Sequence, residues 1–307
     1  MPLKLVTGPA NSAKAGEVLG GYRERLDEEP VLVVPEFRDV EHAQREMAAN
    51  GAVFGVRVAR FGWLWDLIAR RVGYSARIAS SLQRDLLIAE AVSAADLRVL
   101  AASARRPGFS RSAARFLAEL GRAGIDPDDL GSALSQWAGA GTRRAYAAEV
   151  AQIHAGYRAA LERAGLVDRE LFAWRTLAAF RENPEAWGGT PVFVYGFDDF
   201  TDVELAGVEA LAEHVDVTLS FPFERCRHAF DALAETFARL ATRADEHVEL
   251  KGVPDHYHAA SREALHHLER RLFDMTTEQV PAGPAVRVHS AGGERAEVEL
   301  AAAAVLE

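Results

Sequence analysis

The segment Gly8-Pro9-Ala10-Asn11-Ser12-Ala13-Lys14-Ala15 carries most of the residue types of a phosphate-binding loop, G-x-x-x-x-G-K-[ST]. In that pattern backbone amides and the N-terminus of the next helix cradle phosphates, the lysine reaches the β and γ oxygens, and the hydroxyl holds magnesium. Gly8 and Lys14 fit, with Asn11 and Ser12 between them. Ala13 stands where the second glycine belongs and Ala15 where Ser or Thr belongs. A methyl group cannot ligate Mg²⁺, on which phosphoryl transfer depends, and alanine lacks glycine's backbone freedom. The alternative reading is an ordinary strand-to-helix turn holding a chance Gly and Lys.

Hydrolysis would also need an acidic pair at the tip of an apolar strand, to hold magnesium and polarise water. The run Val192-Phe193-Val194-Tyr195 ends in Gly196-Phe197, and neither residue can do that work. Asp198 and Asp199 come two positions late. They are expected to form a turn and cap the helix beginning near Asp202; a shifted metal site is the alternative. Asp255-His256-Tyr257-His258 and His266-His267 match no metal-ligand spacing, so no metal site is expected there. Trp63 and Trp65 share helical spacing with Leu64, Leu67 and Ile68 and read as core, which leaves Phe61 as the aromatic free to stack on a base. Arg105, Arg106, Arg111 and Arg115 read as a solvated face, with phosphate contact as the alternative.

The elements that must position these groups follow from the apolar pattern. Leu3 to Val6, Val31 to Val34 and Gly55 to Val58 are short apolar strands, separated by helices at about Ala13 to Leu26 and Asp39 to Ala49. Such alternation predicts a parallel sheet covered on both faces. From Gly62 to Glu182 the periodicity is helical throughout, with breaks at Gly73, Arg106-Pro107-Gly108, Gly124 to Pro127 and Gly139-Ala140-Gly141. In this block the helix Ser110 to Gly121 sets Ala114, Phe116, Leu117 and Leu120 on one face and arginines largely on another. Strands return at Val192 to Tyr195 and Val215 to Leu219. One discontinuous α/β sheet interrupted by a helical subdomain satisfies both halves. Helices are expected over Phe223 to Arg243 and Ala259 to Phe273, then a strand at Val286 to His289 and a helix from Glu294. A chain that stops inside that helix reads as part of a longer protein, with Leu306-Glu307 as appended residues.

Composition narrows the function classes. The 307 residues carry a formal charge of −10, which argues against coating nucleic acid by bulk electrostatics. Only three of the 35 basic residues are lysine (Lys4, Lys14, Lys251), so local arginine grooves remain available for phosphate. The Ala, Arg and Gly bias also has the look of a GC-rich genome. A single cysteine, Cys226, makes neither an internal disulfide nor a thiolate cage. The N-terminus lacks a secretion-signal pattern and no apolar run approaches the ~20 residues of a membrane span. A cytoplasmic location is expected.

Together, "LVTGPANSAKA", "VLVVPEFRDVEHAQREMA", "VRVARFGWLWDLIARR" and "VFVYGFDDFTDVELAGVEALAEHVDVTLSFP" resemble, in order, the first motor domain of superfamily 1 helicases. The likeness is closer to the inactivated helicase-like component of AddB/RexB-type helicase-nucleases, and Gly196-Phe197 would occupy the acidic positions. The resemblance covers nearly the whole chain and is most specific in the Gly-Phe-Asp-Asp-Phe block. It implies a P-loop NTPase-like α/β fold: a motor-like domain over 1–74 and 184–279, a helical insertion over 75–183, and the opening of a second motor-like domain over 280–307. It implies a non-catalytic DNA-binding and scaffolding region, working in double-strand-break repair with a partner of the AddA/RexA type that unwinds DNA with ATP. The loops after the second and third strands, Phe37-Arg38 and Arg60-Phe61, are then the DNA candidates. An iron–sulfur cluster and a nuclease are expected only in a C-terminal region of the parent protein; no cofactor, metal or catalytic residue is expected in this chain, and ATP binding is in question. Two other functions fit the residues: a P-loop NTPase or small-molecule kinase using Lys14, and a protein-interaction scaffold with no DNA role.

Overall fold

The computed structural model describes residues 2–48, 55–274 and 278–306. Its centre is a six-stranded, all-parallel sheet in the order β3-β2-β4-β5-β1-β6. The strands are β1 (Leu3–Gly8), β2 (Val31–Val33), β3 (Arg57–Ala59), β4 (Val192–Val194), β5 (Val217–Pro222) and β6 (Glu246–Glu249). The register pairs Leu3 with Val217, Val31 with Val192 and with Arg57, and Lys4 with Glu246. The strands expected at Leu3 to Val6, Val31 to Val34, Gly55 to Val58, Val192 to Tyr195 and Val215 to Leu219 thus join one sheet. β6 has no counterpart in the sequence reading because Glu246-His247-Val248-Glu249 is polar and largely exposed, as an edge strand tends to be.

Residues alternate across the two faces of the strands. Val31 and Val33 join Leu5, Val194 and Leu219 in one core, covered by α3 (Phe61–Val72), α10 (Asp202–Ala212) and α11 (Ala234–Arg243). Leu32, Val34 and Phe193 face the other way, onto Val18, Leu19 and Tyr22 of α1 (Lys14–Glu24) and Ala43 and Met47 of α2 (Phe37–Ala48). The expected end of α2 at Ala49 lies outside the described residues.

Six helices lie between β3 and β4 beyond α3: α4 (Ser81–Ala94), α5 (Ala101–Ala104), α6 (Phe109–Arg122), α7 (Pro127–Ala138), α8 (Thr142–Ala164) and α9 (Arg169–Glu182). Ile88, Leu117, Leu130, Ile153 and Leu161 give this lobe its own core. Phe172, Leu177 and Phe180 of α9 belong instead to the core of the sheet, so α9 carries the lobe. Asp168 caps α9 at Leu171 N (2.8 Å) and accepts the Tyr157 hydroxyl at 3.0 Å, while Trp174 Nε1 donates to the Gly121 carbonyl at 2.8 Å.

Two further helices follow, α12 (Arg262–Arg271) and α13 (Glu294–Leu306). The strand expected at Val286 to His289 is not formed: a short 3-10 turn, Gly283–Ala285, leads into irregular chain, and Val288 is exposed. A strand is held by ladder bonds to a neighbour, and no strand lies beside this segment among the described residues.

Candidate functional site

β1 delivers the Gly8–Lys14 loop to the carboxyl edge of the sheet. A β-carbon at Gly8 would collide with Ser12 Oγ and the Leu250 carbonyl, so only glycine lets the loop turn there. Asn11 (φ 55°) and Ala13 (φ 61°) are left-handed, and Ala13 precedes the first turn of α1. An L-residue pays roughly 1–2 kcal/mol for that conformation, so alanine sits strained where the motif has glycine. Lys14 Nζ donates to the Gly8 carbonyl at 2.8 Å, to Ser12 Oγ at 3.1 Å and to the Pro9 carbonyl. Ser12, buried, donates to the Pro9 carbonyl at 2.8 Å. Burial pushes the Lys14 ammonium down to about 8, against an opposing pull from Glu269. Ala15 packs with the Val18–Leu19–Tyr22 cluster, so its methyl group serves the core.

One flank of this loop is covered by the segment from Leu250 through α12. Leu250 N donates to the Thr7 carbonyl at 2.8 Å and Val253 N to the Asn11 carbonyl at 3.0 Å. Asn11 Nδ2 faces the Tyr257 hydroxyl (3.3 Å) and Glu269 Oε2 (3.4 Å), and Tyr257 donates to the same carboxylate at 2.7 Å. Sequence reasoning misses this cover, since nothing in the spacing ties Glu269 to Asn11.

Beyond Lys14 a cleft of about 420 Å³ runs along the strand ends, lined by Glu36, Arg38, Asp39, Tyr195, Gly196, Phe197, Asp198 and Ser220 among others. Gly196 takes φ 88°, and Phe197 turns inward. Its ring stacks on Phe200 (centroids 5.0 Å apart) and meets Phe61 edge-on at 5.2 Å, while Phe200 stacks on Phe221 at 6.1 Å. The residue that the resemblance would set at an acidic position is therefore packed hydrocarbon.

The expectation that Asp198 and Asp199 cap the next helix is corrected. Thr201 and Glu204 form the capping box of α10, because their spacing satisfies both free N–H groups reciprocally. Asp199 instead accepts the Phe200 N–H at 2.8 Å and the Thr236 hydroxyl at 3.3 Å, and Asp198 lines the cleft. Among the described residues no group of three His, Cys, Asp or Glu side chains is placed to hold a metal ion.

Of the residues chosen for nucleic acid, Phe37 and Arg38 occupy the first turn of α2 and are exposed, with Arg38 at 2.9 Å from Glu36. Arg60 precedes α3 and borders a second cleft of about 460 Å³ with Trp63, Asp66, Arg169 and Glu204. Phe61 does not belong with them. It is 4% exposed and locked against Phe197 and Trp65, so it is core and cannot stack on a base. Trp63 is the reverse, 38% exposed where core is expected. A signal for both is present in the sequence: Phe61, Leu64, Trp65 and Ile68 make the i, i+3, i+4, i+7 stripe that α3 buries, and Trp63 falls off it.

An all-parallel sheet with a phosphate-loop turn after β1 and a helical block between β3 and β4 defines an α/β protein of the P-loop, helicase-like class. The sequence model described as "ADDB, N-terminal" matches residues 5–269, and the chain belongs to that family. Relatives named as the B subunit of an ATP-dependent helicase/deoxyribonuclease occur in Desulforudis audaxviator (strain MP104C), 28% identical, and Moorella thermoacetica (strain ATCC 39073 / JCM 9320), 29% identical, each matching 100% of this chain. A third with the same name, from Pelotomaculum thermopropionicum (strain DSM 13744 / JCM 10971 / SI), is 28% identical over 71% of the chain. The chain spans 28% and 29% of the length of the first two. No described helix is long and apolar enough to cross a membrane.

Proposed function

We propose that this chain is the motor-like N-terminal region of an AddB-type component of a helicase-nuclease, acting in DNA end processing as a non-catalytic DNA track and as a scaffold for a helicase-type partner. One observation carries the reading: Phe197, at the acid position, is built into an aromatic core with Phe61, Phe200 and Phe221. A residue committed to packing in this way cannot be recruited for water activation or magnesium. Ala15, half-buried against the Val18–Leu19–Tyr22 cluster, is a second loss on the same reaction path. ATP turnover then belongs to the partner, and the repair and recombination roles belong to the assembled complex, as does an iron–sulfur nuclease region elsewhere in the parent protein.

Phe37, Arg38, Arg60 and Trp63 are the exposed groups that would meet DNA, since loops after parallel strands gather at one edge. Arginines would take phosphates and Trp63 would stack on a base. With a net charge of −10 the chain alone binds weakly, and the complex binds more tightly. The test is a salt titration of single-strand binding by the assembled helicase-nuclease, parent beside R38A/R60A. The slope of log affinity against log salt should fall by about 1.4, at ~0.7 per lost phosphate contact. An unchanged slope and affinity would remove the track from this edge.

Nucleotide binding without turnover is a second reading, favoured by Lys14 and the surviving loop geometry. Under the leading reading magnesium-dependent ATP hydrolysis by the chain stays at background. Turnover that disappears in Lys14→Ala would replace it with the NTPase or kinase reading.

A further inference from the structure

The segment that covers one flank of the Gly8–Lys14 loop meets it through groups that an anionic ligand would also use. Past β6, the bonds from Leu250 N to the Thr7 carbonyl and from Val253 N to the Asn11 carbonyl lay the segment beside the loop. Gly252 brings bare backbone close, since a β-carbon there would come within 3.3 Å of Pro9. The other contacts are polar: the Asn11 side-chain amide reaches both the Tyr257 hydroxyl and the Glu269 carboxylate, and Tyr257 donates to that carboxylate at 2.7 Å. Glu269 thus offers the loop what a phosphate offers, anionic oxygens that accept from its donors. Its charge also draws on the Lys14 ammonium, which is folded back onto Ser12 and the Gly8 and Pro9 carbonyls.

The cover is lightly held over the loop and firmly held at its far end. No residue of α12 is buried. Arg262 and His266 precede Glu269 by seven and three positions, the spacing of one helix face. Arg262 Nε, His266 Nδ1 and Glu269 Oε1 are all buried without a partner among the described residues. Unmet buried polar atoms are costly, so the closed position leaves this face unsatisfied. The last turn of α12 differs. Arg270 forks onto Glu224 at 2.6 and 2.5 Å, and Arg227 donates to the Glu269 carbonyl at 2.6 Å. These bonds tie the helix to the chain just past β5, leaving a fixed end and a weakly committed face.

We propose that the Tyr257–Glu269 cover is an autoinhibitory gate on the phosphate loop, in which Glu269 stands where the phosphates of a nucleoside triphosphate would bind and must be displaced by them. The cleft of about 420 Å³ beyond Lys14 gives the rest of such a ligand room. This inference rests on the reading of nucleotide binding without turnover.

The experiment is isothermal titration of MgATP into the full chain and its Tyr257→Phe and Glu269→Gln variants, with hydrogen exchange over Leu250 to Glu269 read with and without the nucleotide. Both substitutions nearly conserve size, and an unchanged thermal midpoint would establish that the variants fold. Glu269→Gln should tighten ATP binding about 10-fold, the scale of one charge-assisted hydrogen bond that no longer has to be displaced. Tyr257→Phe should tighten it less, since it loosens the cover and keeps the charge. Adding Lys14→Ala to Glu269→Gln should abolish the gain, which ties the ATP to this loop. In the parent, saturating ATP should speed exchange in the segment, because opening breaks the bonds from Leu250 and Val253; a ligand packed beneath a closed cover would slow it. Equal affinity in all three proteins, or slowed exchange, would overturn the gate and leave nucleotide binding standing. No binding to the parent or to either variant would overturn the nucleotide reading and the gate together.

Discussion

Two loops leave the same edge of the sheet, one after β1 and one after β4, and they have diverged in opposite ways. The β1 loop keeps a closed, polar turn although alanine stands at two positions of the phosphate-loop pattern. The β4 loop turns Phe197, the residue that the proposed function sets at the acid position, into the core. The physical difference lies in what holds each loop. Gly8–Lys14 is fixed by polar contacts of its own, Lys14 and Ser12 to the Gly8 and Pro9 carbonyls, and by the cover from Leu250 to Glu269. The absence of a hydroxyl at position 15 removes none of these. The Gly196–Phe200 turn is fixed by burial of aromatic rings, an arrangement that excludes a carboxylate at position 197 while Asp198 of the same turn lines the cleft.

The largest effect expected from this contrast is in Phe197→Asp. It would put a carboxylate among Phe61, Phe200 and Phe221, adding an unpaired buried charge to the loss of a packed ring. The packing loss alone is about 3–5 kcal/mol, and burial of the charge adds to it. Denaturant unfolding should show a lower midpoint, and no magnesium-dependent hydrolysis should appear. A variant that kept the parental midpoint and gained turnover would break the comparison.

How much is legible in the sequence differs between the two loops for the same reason. Gly8, Lys14 and the losses at Ala13 and Ala15 are local, and a motif of fixed spacing exposes them. Gly196-Phe197 can be read as a missing acid pair, but the destination of Phe197 cannot, because Phe61 and Phe221 reach it through tertiary packing alone. Phe61 looks free in the sequence for that reason. The edge strand Glu246–Glu249 escapes notice because a polar edge strand has no hydrophobic signature, and the Asn11–Tyr257–Glu269 cover depends on it. Gly207 looks like any helix-interior glycine in the sequence. In the fold a β-carbon there would overlap the Trp65 ring, so it sets how closely α10 approaches α3.

A medium effect should separate the loops by pH. Lys14 sits at about 8, below its ordinary 10.5, so above pH 8 the native chain sheds a proton that the unfolded chain still holds. Stability contributed at this site is therefore lowest below pH 8, rises between pH 8 and about 10.5, and is level beyond. Partial solvent exposure of the ammonium limits the gain to about 1 kcal/mol. Urea midpoints across that window should rise in the parent relative to Lys14→Met. Parallel curves for the two proteins would mean the lysine is as hydrated as one at the surface, and the closed cradle would be wrong. Amine labelling resolved residue by residue offers a sharper view, because Lys4, Lys14 and Lys251 are the only side-chain amines and the α-amino group, which also titrates near pH 8, is read apart from them. Near pH 8 about half of Lys14 should be deprotonated, well ahead of an ordinary lysine, and protection by ATP would show whether the cradle still opens to phosphate.

The smallest effect belongs to Ala13→Gly, which tests whether the β1 loop retains its shape against strain. Alanine at φ 61° carries a left-handed penalty that glycine lacks. Glycine, however, has more freedom to lose on folding, a cost of about 0.4–1 kcal/mol. The two terms oppose each other, and the left-handed penalty is the larger, so a net stabilisation of about 0.5 kcal/mol is expected in the unfolding midpoint. A clear loss of stability would mean that the Ala13 methyl group makes contacts worth more than its strain. Combining Ala13→Gly with Ala15→Thr then restores the motif's residue types at one loop while Phe197 stays in the core at the other. Nucleotide affinity is expected to rise in that double variant and turnover to stay at background, because a repaired cradle does not supply a carboxylate on the far side of the cleft. Turnover in the double variant would show that the cleft carboxylates Glu36, Asp39 or Asp198 can take over the acid's work, and the two loops would then differ in degree and not in kind.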